Sequence, residues 1–331
     1  MSRLGLALPF FSVFGVDDYV GLAREAEQRG YDTAWTAETA GHDAFTTMTL
    51  IARGTTRLRV ATGVVPIQTR TPTVLGMTAA TLGHVAPGRI ALGLGVSSPM
   101  IVEQWHGVPF GKPLQQTREA VQIIRRVLAG ERVNFEGQCY RVRNFRLALP
   151  PPPQPVRIYL GALGPRMLEL AGEIADGVLL NWLAPATVAA SIEHLETGAR
   201  RGGRTLADFE IAAFIRTCVT DQAEPVRQAL SRDITGYAIV DAYASFFRAS
   251  GFAAEVDALQ AAWKAGNRAG AVKHVSARWL DALGVIGPAE ACRARMAEFR
   301  RAGLTMPVIN PVSAEGEDRR SSILRTVRAF P

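Results

Sequence analysis

The chain has 331 residues, of which 48% are hydrophobic and 20% are charged, and this balance is typical of a globular protein with a sizeable core. No apolar run reaches the roughly 18–20 residues of a membrane-spanning helix, and Cys139, Cys218 and Cys292 form no CxxC pair, which argues against zinc, redox and disulfide sites. Because a disulfide framework is not indicated, we expect a protein of a reducing, cytoplasmic compartment, and without a spanning segment we expect no membrane binding. The net charge of +7 favours anionic ligands, but the basic residues are scattered, so we expect no binding to nucleic acid.

Eight short apolar runs alternate with helix-like segments along the chain. Most of the runs are continuous stretches of Val, Ile, Leu and Ala, as expected for parallel strands that are covered on both faces. They are Leu4–Phe10, Asp32–Glu38, Leu58–Val65, Arg89–Val96, Val156–Gly161, Gly177–Leu183, Glu210–Val219 and Pro307–Val312. Eight strand–helix units in this order predict an α/β fold, a TIM-type (β/α)8 barrel that forms a single domain over residues 1–331.

Other segments interrupt or mark this alternation. Asp43 is placed to cap the second barrel helix. Residues 131–142 predict a small hairpin that turns near Glu136 and Gly137. Residues 221–305 are almost entirely helix-like and longer than one crossover requires, so they predict a helical insertion before the eighth strand.

The fourth predicted strand, RIALGLGVSSP (89–99), carries glycines at two alternate positions. Gly93 and Gly95 share one face, and glycine inside a strand often marks a close approach, so we expect them to open space for a flat or bulky ligand. Ser97 and Ser98 end the strand, where hydroxyls and amides can meet an anion. Barrel packing and helix capping are the alternative explanation. A GxGxxG dinucleotide fingerprint is disfavoured because its third glycine is absent.

A second glycine-rich turn, YLGALGPRM (159–167), follows the next strand. Gly161 and Gly164 precede Pro165 and Arg166 at the start of a predicted helix. Two such turns on neighbouring strands predict a cradle for an anion, to which Arg166 can add a guanidinium.

Several segments resemble the luciferase-like monooxygenase superfamily, and the resemblance covers nearly the whole chain. It is similar to the branch that uses the deazaflavin coenzyme F420, such as the methylenetetrahydromethanopterin reductase-like oxidoreductases. The matching segments are WTAETAGHDAF (35–45), LRVATGVV (58–65), RTP (70–72), GRIALGLGVSSP (88–99), EQWHG (103–107), IYLGALGPRMLELAGEIADGVLLNW (158–182) and VIGPAEACRARMAEFRRAGLTMPVINPV (285–312).

The resemblance implies where the coenzyme binds. Family members hold the ring against a bulge after the third strand, often through a non-prolyl cis peptide, and the matching bond is Gly63–Val64. An ordinary trans glycine turn is the alternative. The cofactor-binding residues implied in this way are Thr39, Gly63, Val64, Val65, Ser97, Ser98, Gly161, Ala162, Leu163, Gly164, Pro165 and Arg166.

Three residues are candidates for acid or base chemistry. Glu38 ends the second strand at the barrel mouth, and Thr39 follows it where luciferases have a histidine. His42 is the second candidate, with a solvent or capping role as the alternative. Glu103 in EQWHG can donate a proton to substrate, and Trp105 can wall the pocket or belong to the core.

We therefore expect an F420-dependent oxidoreductase that transfers hydride between the deazaflavin and a small organic molecule. An FMN-dependent monooxygenase that uses reduced flavin and oxygen is one alternative. A non-catalytic flavin- or deazaflavin-binding protein is another. The resemblance also implies a homodimer. No metal site is expected, because the sequence has no HExxH motif and no cysteine cluster.

Overall fold

Twelve strands are present in the computed structural model, which describes residues 3–9 and 14–330. Phe10, the predicted end of the first strand, lies outside the described residues. In chain order the strands are β1 (Gly5–Ala7), β2 (Thr33–Thr36), β3 (Arg59–Thr62), β4 (Val65–Pro66), β5 (Ile90–Gly95), β6 (Val133–Glu136), β7 (Arg141–Phe145), β8 (Arg157–Gly161), β9 (Gly177–Asn181), β10 (Glu210–Val219), β11 (Gly284–Gly287) and β12 (Met306–Pro311).

Eight of these strands close into a parallel barrel. The hydrogen-bonded order runs β1–β2–β3–β5–β8–β9–β10–β12, and β12 pairs with β1. All eight correspond to predicted strands, so the TIM-barrel fold class is confirmed. The two-residue strand β4 lies outside this path and pairs with the end of β5.

Helices follow the strands and cover the barrel with their apolar faces. They are α1 (Val16–Gln28), α2 (Ala44–Gly54), α3 (Pro72–Val85), α4 (Pro113–Leu128), α5 (Pro165–Ile174), α6 (Pro185–Arg201), α7 (Ala223–Ala238), α8 (Asp241–Phe247), α9 (Ala253–Lys264), α10 (Arg268–Val272), α11 (Ala277–Leu283), α12 (Ala289–Arg301) and α13 (Arg319–Arg328). Asp43 caps α2 as predicted, because its side chain accepts the Thr46 N–H at 2.7 Å. Among the described residues, no helix has both the length and the apolar character needed to cross a membrane.

The antiparallel strands β6 and β7 form the predicted hairpin, which turns at Gly137. The segment between β10 and β12 departs from the prediction in one respect. It holds the helices α7 to α12 but also the strand β11, which pairs with the last four residues of β10. This strand has a glycine at each end and only two apolar residues between them. It therefore lacks the apolar run that marks the barrel strands.

Alternate side chains of the barrel strands point inward and fill the interior. The side chains that pack in this interior layer are Ala7, Trp35, Ala61, Ala91, Tyr159, Leu179, Ala212, Phe214, Met306 and Val308. At the amino-terminal end of the strands, below this layer, Glu210 pairs with Arg59. Above it the strands reach the mouth of the barrel, where ligands of TIM barrels bind.

Candidate functional site

The rim of the barrel mouth has a half with small residues and a half with polar ones. By strand alternation, the rim positions are two residues beyond the interior layer on each strand. On β1, β2, β3, β5 and β8 they are the small residues Pro9, Ala37, Gly63, Gly93 and Gly161. On β9, β10 and β12 they are Asn181, Arg216 and Asn310. The mouth therefore has small residues on one side and hydrogen-bonding groups on the other.

A bulge between β3 and β4 occupies the small half of the rim. Its peptide bond Gly63–Val64 is cis, as the sequence resemblance implied. The Gly63 N–H donates to the Thr36 carbonyl at 2.6 Å. A Cβ on Gly63 would lie 2.7 Å from Phe214 Cζ and 3.0 Å from Leu179 Cδ2, so only glycine fits at this position. The bulge thus rests directly on the interior packing of the barrel.

The glycines of β5 make room for this bulge, which corrects the expectation that they open space for a ligand. A Cβ on Gly93 would overlap the Thr62 carbonyl oxygen, and one on Gly95 would overlap Val64 Cγ2. The Thr62 hydroxyl also bridges the Gly93 N–H and carbonyl, at 2.8 Å each. On the other side, a Cβ on Gly161 would lie 3.3 Å from Val64 Cγ1. Val64 therefore sits between two glycines and stays half-buried at the rim.

The two predicted anion-binding turns are adjacent, because β5 and β8 pair with each other. Ser97 is exposed and has a left-handed φ of 57°. Ser98 accepts the Ile101 N–H at 3.4 Å, where a π-helical turn begins. Helix α5 starts at Gly164 without a side-chain cap, and no described atom lies within 4 Å of a Cβ built there. Arg166 is exposed and makes no ion pair with the residues that the structure describes.

The other residues implied to bind a cofactor surround these turns. Val65 and Ala162 are buried, and the Ala162 N–H donates to the Leu179 carbonyl at 3.3 Å. Thr39 and Leu163 are half-buried, and Pro165 is exposed at the first position of α5. The exposed and half-buried members can offer side chains to a ligand, whereas the buried ones shape the wall.

Glu38 lies at the mouth but is bound by an arginine. Arg70 Nη1 and Nη2 donate to its two carboxylate oxygens at 2.5 and 2.9 Å, and the Ala44 N–H donates at 3.2 Å. Arg70 also contacts Asp43 at 2.5 Å. The hydrogen bonds with Glu38 raise the pKa of Arg70. The pairing of Arg70 with Glu38 was not predicted, because nothing in one sequence shows which carboxylates a distant arginine contacts.

The other two acid or base candidates also have backbone partners. A His42 ring nitrogen lies 3.3 Å from the Phe14 carbonyl oxygen, and the side chain is exposed. Glu103 is exposed on the π-helical turn Met100–Trp105 and accepts the Phe110 N–H at 3.2 Å. Trp105 is 50% exposed, so it does not belong to the core.

The polar half of the rim was not foreseen from the sequence. Arg216 is only 4% exposed, and its guanidinium lies 3.7 Å from the Trp182 ring centroid while it donates to Asn181 Oδ1. The one signal in the sequence is a charged residue inside the otherwise apolar run IAAFIRTCV of β10. Asn310 gives the same kind of signal in β12.

Comparison with known proteins gives the family. The model of the luciferase-like monooxygenase family matches residues 5–306. The Mycobacterium tuberculosis protein named "Putative coenzyme F420-dependent oxidoreductase Rv3520c" is 34% identical over 95% of this chain and 96% of its own. The 5,10-methylenetetrahydromethanopterin reductase of Archaeoglobus fulgidus is 27% identical over 96% of this chain and 94% of its own.

Solved structures share the same fold. The coenzyme F420-dependent tetrahydromethanopterin reductase of Methanopyrus kandleri superposes with a TM-score of 0.83 at 22% identity, covering 99% of this chain and 98% of its own. An F420-dependent secondary alcohol dehydrogenase, solved with an F420–acetone adduct, gives a TM-score of 0.80 at 19% identity, covering 100% and 99%. A match of the family model over most of the chain, together with these relatives, leads to one conclusion: the chain is an enzyme of the luciferase-like monooxygenase family.

Proposed function

We propose that this enzyme is an F420-dependent oxidoreductase that transfers hydride between the deazaflavin ring and a small organic substrate. The observation that carries the proposal is the bulge at Gly63 and Val64, which lies at the mouth with Val64 half-buried. Its position leaves an apolar surface on the small half of the rim, and a flat ring can lie on such a surface. The names of the relatives by sequence support the choice of F420.

The residues near the bulge fit both parts of such a coenzyme. The half-buried Val64 side chain at the rim offers an apolar surface to a planar ring. An anionic tail fits the start of α5, where no side chain caps the helix and the helix dipole carries partial positive charge. Arg166 adds a guanidinium that no described carboxylate neutralises, and Ser97 adds an exposed hydroxyl. When bound, the coenzyme supplies the hydride chemistry, and the protein supplies orientation and a pocket that excludes water.

We assign a positioning role to Glu38. Both of its carboxylate oxygens accept hydrogen bonds from Arg70, and Arg70 in turn holds Asp43 at the start of α2. This ionic cluster fixes the loop after β2 against the loop after β4, on the two sides of the bulge. His42 and Glu103 remain our candidates for holding a proton near the substrate, because both are exposed in the segments that follow β2 and β5.

An FMN-dependent monooxygenase is the second candidate function. The observation that favours it is the matching family model, which describes luciferase-like monooxygenases. FMN also combines a flat ring with a phosphate, so the same platform and turns can accept it. The two candidates differ in the cofactor that the purified protein binds.

A titration of the apoprotein with F420 and with FMN tests the proposal. We expect F420 to bind at least tenfold more tightly than FMN, as measured by fluorescence or calorimetry. Arg166→Met is expected to weaken F420 binding by about tenfold, because a charge-assisted contact contributes about 1.5–3 kcal/mol. The same variant should bind a deazaflavin without the anionic tail as the wild type does.

Arg53→Met is the matched control. Arg53 is exposed in the last turn of α2, at the opposite end of the barrel, so its loss should leave F420 binding unchanged. Tight FMN binding without F420 binding would show that the second candidate is correct. Binding of neither cofactor would show that both candidates are wrong.

The homodimer implied by the resemblance is also a proposal. Helices α2 and α3 pack side by side, and they expose the apolar side chains of Leu50, Val74 and Met77. We propose that a second copy covers this surface. A mass of two chains in light scattering would support it, and a mass of one chain would contradict it.

A further inference from the structure

One arginine in the polar half of the rim is buried without an acidic partner. Arg216 is 4% exposed, and a guanidinium carries five N–H donors and stays charged. It donates to Asn181 Oδ1 and contacts the Tyr237 side chain, but it makes no ion pair with any described residue. The acidic residue whose charge acts on it is Asp233, which is exposed on α7. Burying a charge without a counter-ion is costly, so this position calls for a functional explanation.

The fold creates a niche at this arginine. On one edge β10 pairs first with β9 and then, from Arg216 onward, with β11. Strand β9 ends at Asn181, and Trp182 leaves the sheet with a left-handed φ of 56°. Arg216 thus lies where the wall of the barrel changes strands. Tyr237 of α7 and Tyr243 of α8 cover the niche, with the Arg216 guanidinium 5.7 Å from the Tyr237 ring and the Tyr243 hydroxyl accepting from Asn181 Nδ2 at 3.0 Å.

The polar groups in the niche are suited to an anionic oxygen ligand. Asn310 is the register partner of Arg216 on β12 and is 8% exposed. Together with Asn181, these side chains provide one cation and two amides, and the planar guanidinium matches the geometry of a carboxylate. Burial of Arg216 lowers its pKa, and the charge of Asp233 opposes this shift without cancelling it.

The niche faces the proposed ring platform across the mouth. In the closed order of eight strands, β10 lies opposite β3, which leads into the bulge. One layer below Arg216, the Phe214 ring extends across the interior to within 2.7 Å of the position of a Cβ on Gly63. A group bound to Arg216 would therefore lie over the platform and close to it.

We propose that Arg216, flanked by Asn181 and Asn310, binds the carboxylate of the substrate, and that this enzyme therefore acts on an organic acid. The proposal rests on the proposed function, because it places the substrate between the niche and the bound ring. A carbonyl oxygen of the cofactor ring is the other source of a partly anionic oxygen, and the experiment separates the two.

The test uses benzoate as a probe and neutral benzamide of the same shape as its control. Binding to the full-length protein is measured by calorimetry and by tryptophan fluorescence, with and without F420. The Trp182 ring lies 3.7 Å from the Arg216 guanidinium, so its fluorescence should change when a ligand binds to Arg216. Loss of that change in Trp182→Phe would show that Trp182 is the residue that reports binding. We expect benzoate to bind at least tenfold more tightly than benzamide. Arg216→Met should remove this preference, and Arg216→Lys should keep part of it because the charge remains.

Arg248→Met is the matched control variant, since Arg248 is paired with Asp257 at 2.8 Å elsewhere in the segment that follows β10. It should bind benzoate as the wild type does. Equal binding of benzoate and benzamide, or unchanged benzoate binding by folded Arg216→Met, would overturn the proposal. A tenfold loss of F420 affinity in Arg216→Met would also overturn it, because the guanidinium would then serve the cofactor. If Arg216→Met does not fold, Arg216→Lys decides the matter: an undiminished preference for benzoate overturns the proposal.

The titration without F420 keeps the two proposals distinguishable. If benzoate binds through Arg216 but neither cofactor binds, the proposed function is wrong and the anion site stands. If F420 binds and benzoate does not, the proposed function stands and this inference is wrong.

Discussion

Gly93 shows how one missing side chain shapes the site. A Cβ at this position would overlap the Thr62 carbonyl oxygen, which belongs to the backbone that leads into the bulge. We expect Gly93→Ala to destabilise the protein by about 1–3 kcal/mol, because overpacking forces the backbone to shift. Chemical denaturation measures the loss. The shift should also move the bulge, so F420 binding should weaken in the same variant.

Gly21→Ala is the control for this substitution. Gly21 is exposed in α1, and no described atom lies within 4 Å of a Cβ built there. Alanine should therefore stabilise this helix by about 0.5–1 kcal/mol. Equal stability of Gly93→Ala and wild type would show that the backbone near the bulge can shift without loss of stability, contrary to our explanation.

Single residues were predictable from the sequence only in part. The pattern of Gly93 and Gly95 correctly indicated a close approach, but the approaching group is the protein's own bulge. The sequence could not identify the approaching group, because a glycine shows only that a side chain is absent and not which atoms lie beside it. The cis bond at Gly63–Val64 was foreseen through the family resemblance. Arg216 was overlooked because a charge inside an apolar strand does not say which side of the sheet it faces.

Secondary-structure elements were more predictable than single residues. A parallel barrel strand is covered on both faces, so its apolar run is continuous and visible in the sequence. All eight barrel strands were found for this reason, whereas the hairpin was found from its turn near Glu136 and Gly137. Strand β11 was not predicted, because it pairs only with the extension of β10 beyond the barrel and has glycines at both ends.

A single buried carboxylate of α4 holds the turn of the hairpin β6–β7. Glu119 accepts the backbone N–H groups of Gln138, Cys139 and Tyr140 at 2.7–2.9 Å, and the Gln115 side chain at 2.7 Å. Burial alone would raise the pKa of Glu119, but these donors hold it below its usual value. The carboxylate thus fixes the hairpin turn onto the helix.

Glu119→Ala should therefore release the hairpin from α4. The three N–H groups lose their acceptor, and each buried donor left unpaired costs about 1–3 kcal/mol. We expect faster hydrogen exchange of the amides of residues 138–140 and a lower melting temperature. Glu136→Gln is the control, because Glu136 forms only an exposed ion pair with Arg141 in the same hairpin. If residues 138–140 stay protected in Glu119→Ala, other contacts hold the hairpin.

At the scale of the whole molecule, the two ends of the barrel differ in whether their buried charged side chains form ion pairs. At the amino-terminal end, Glu210 is 2% exposed and accepts from Arg3 at 2.5 Å, from Arg59 at 3.0 Å and from the Tyr159 hydroxyl at 2.6 Å. At the mouth, Arg216 forms no ion pair with any described residue, although the charge of Asp233 acts on it. A fully paired buried carboxylate at the closed end and a buried arginine without an ion pair at the open end agree with the general division of TIM barrels. The amino-terminal face serves stability, and the carboxyl-terminal face serves binding.

Glu210→Gln tests whether the paired carboxylate at the amino-terminal end stabilises the protein. Burial tends to raise the pKa of Glu210, but Arg59 and the Tyr159 hydroxyl hold it below the usual value of 4.5. At neutral pH the variant leaves the arginines without a counter-ion, so we expect a loss of about 3–5 kcal/mol in chemical denaturation. Because the folded pKa is depressed, the contribution of Glu210 is complete above pH 4.5 and fades as the pH falls through the folded value. The difference in stability between wild type and variant should shrink over that range.

Glu196→Gln, which loses only an exposed pair with Arg200, should differ little from wild type at any pH. A constant difference across the acidic range would mean that packing, and not charge, makes Glu210 stabilising.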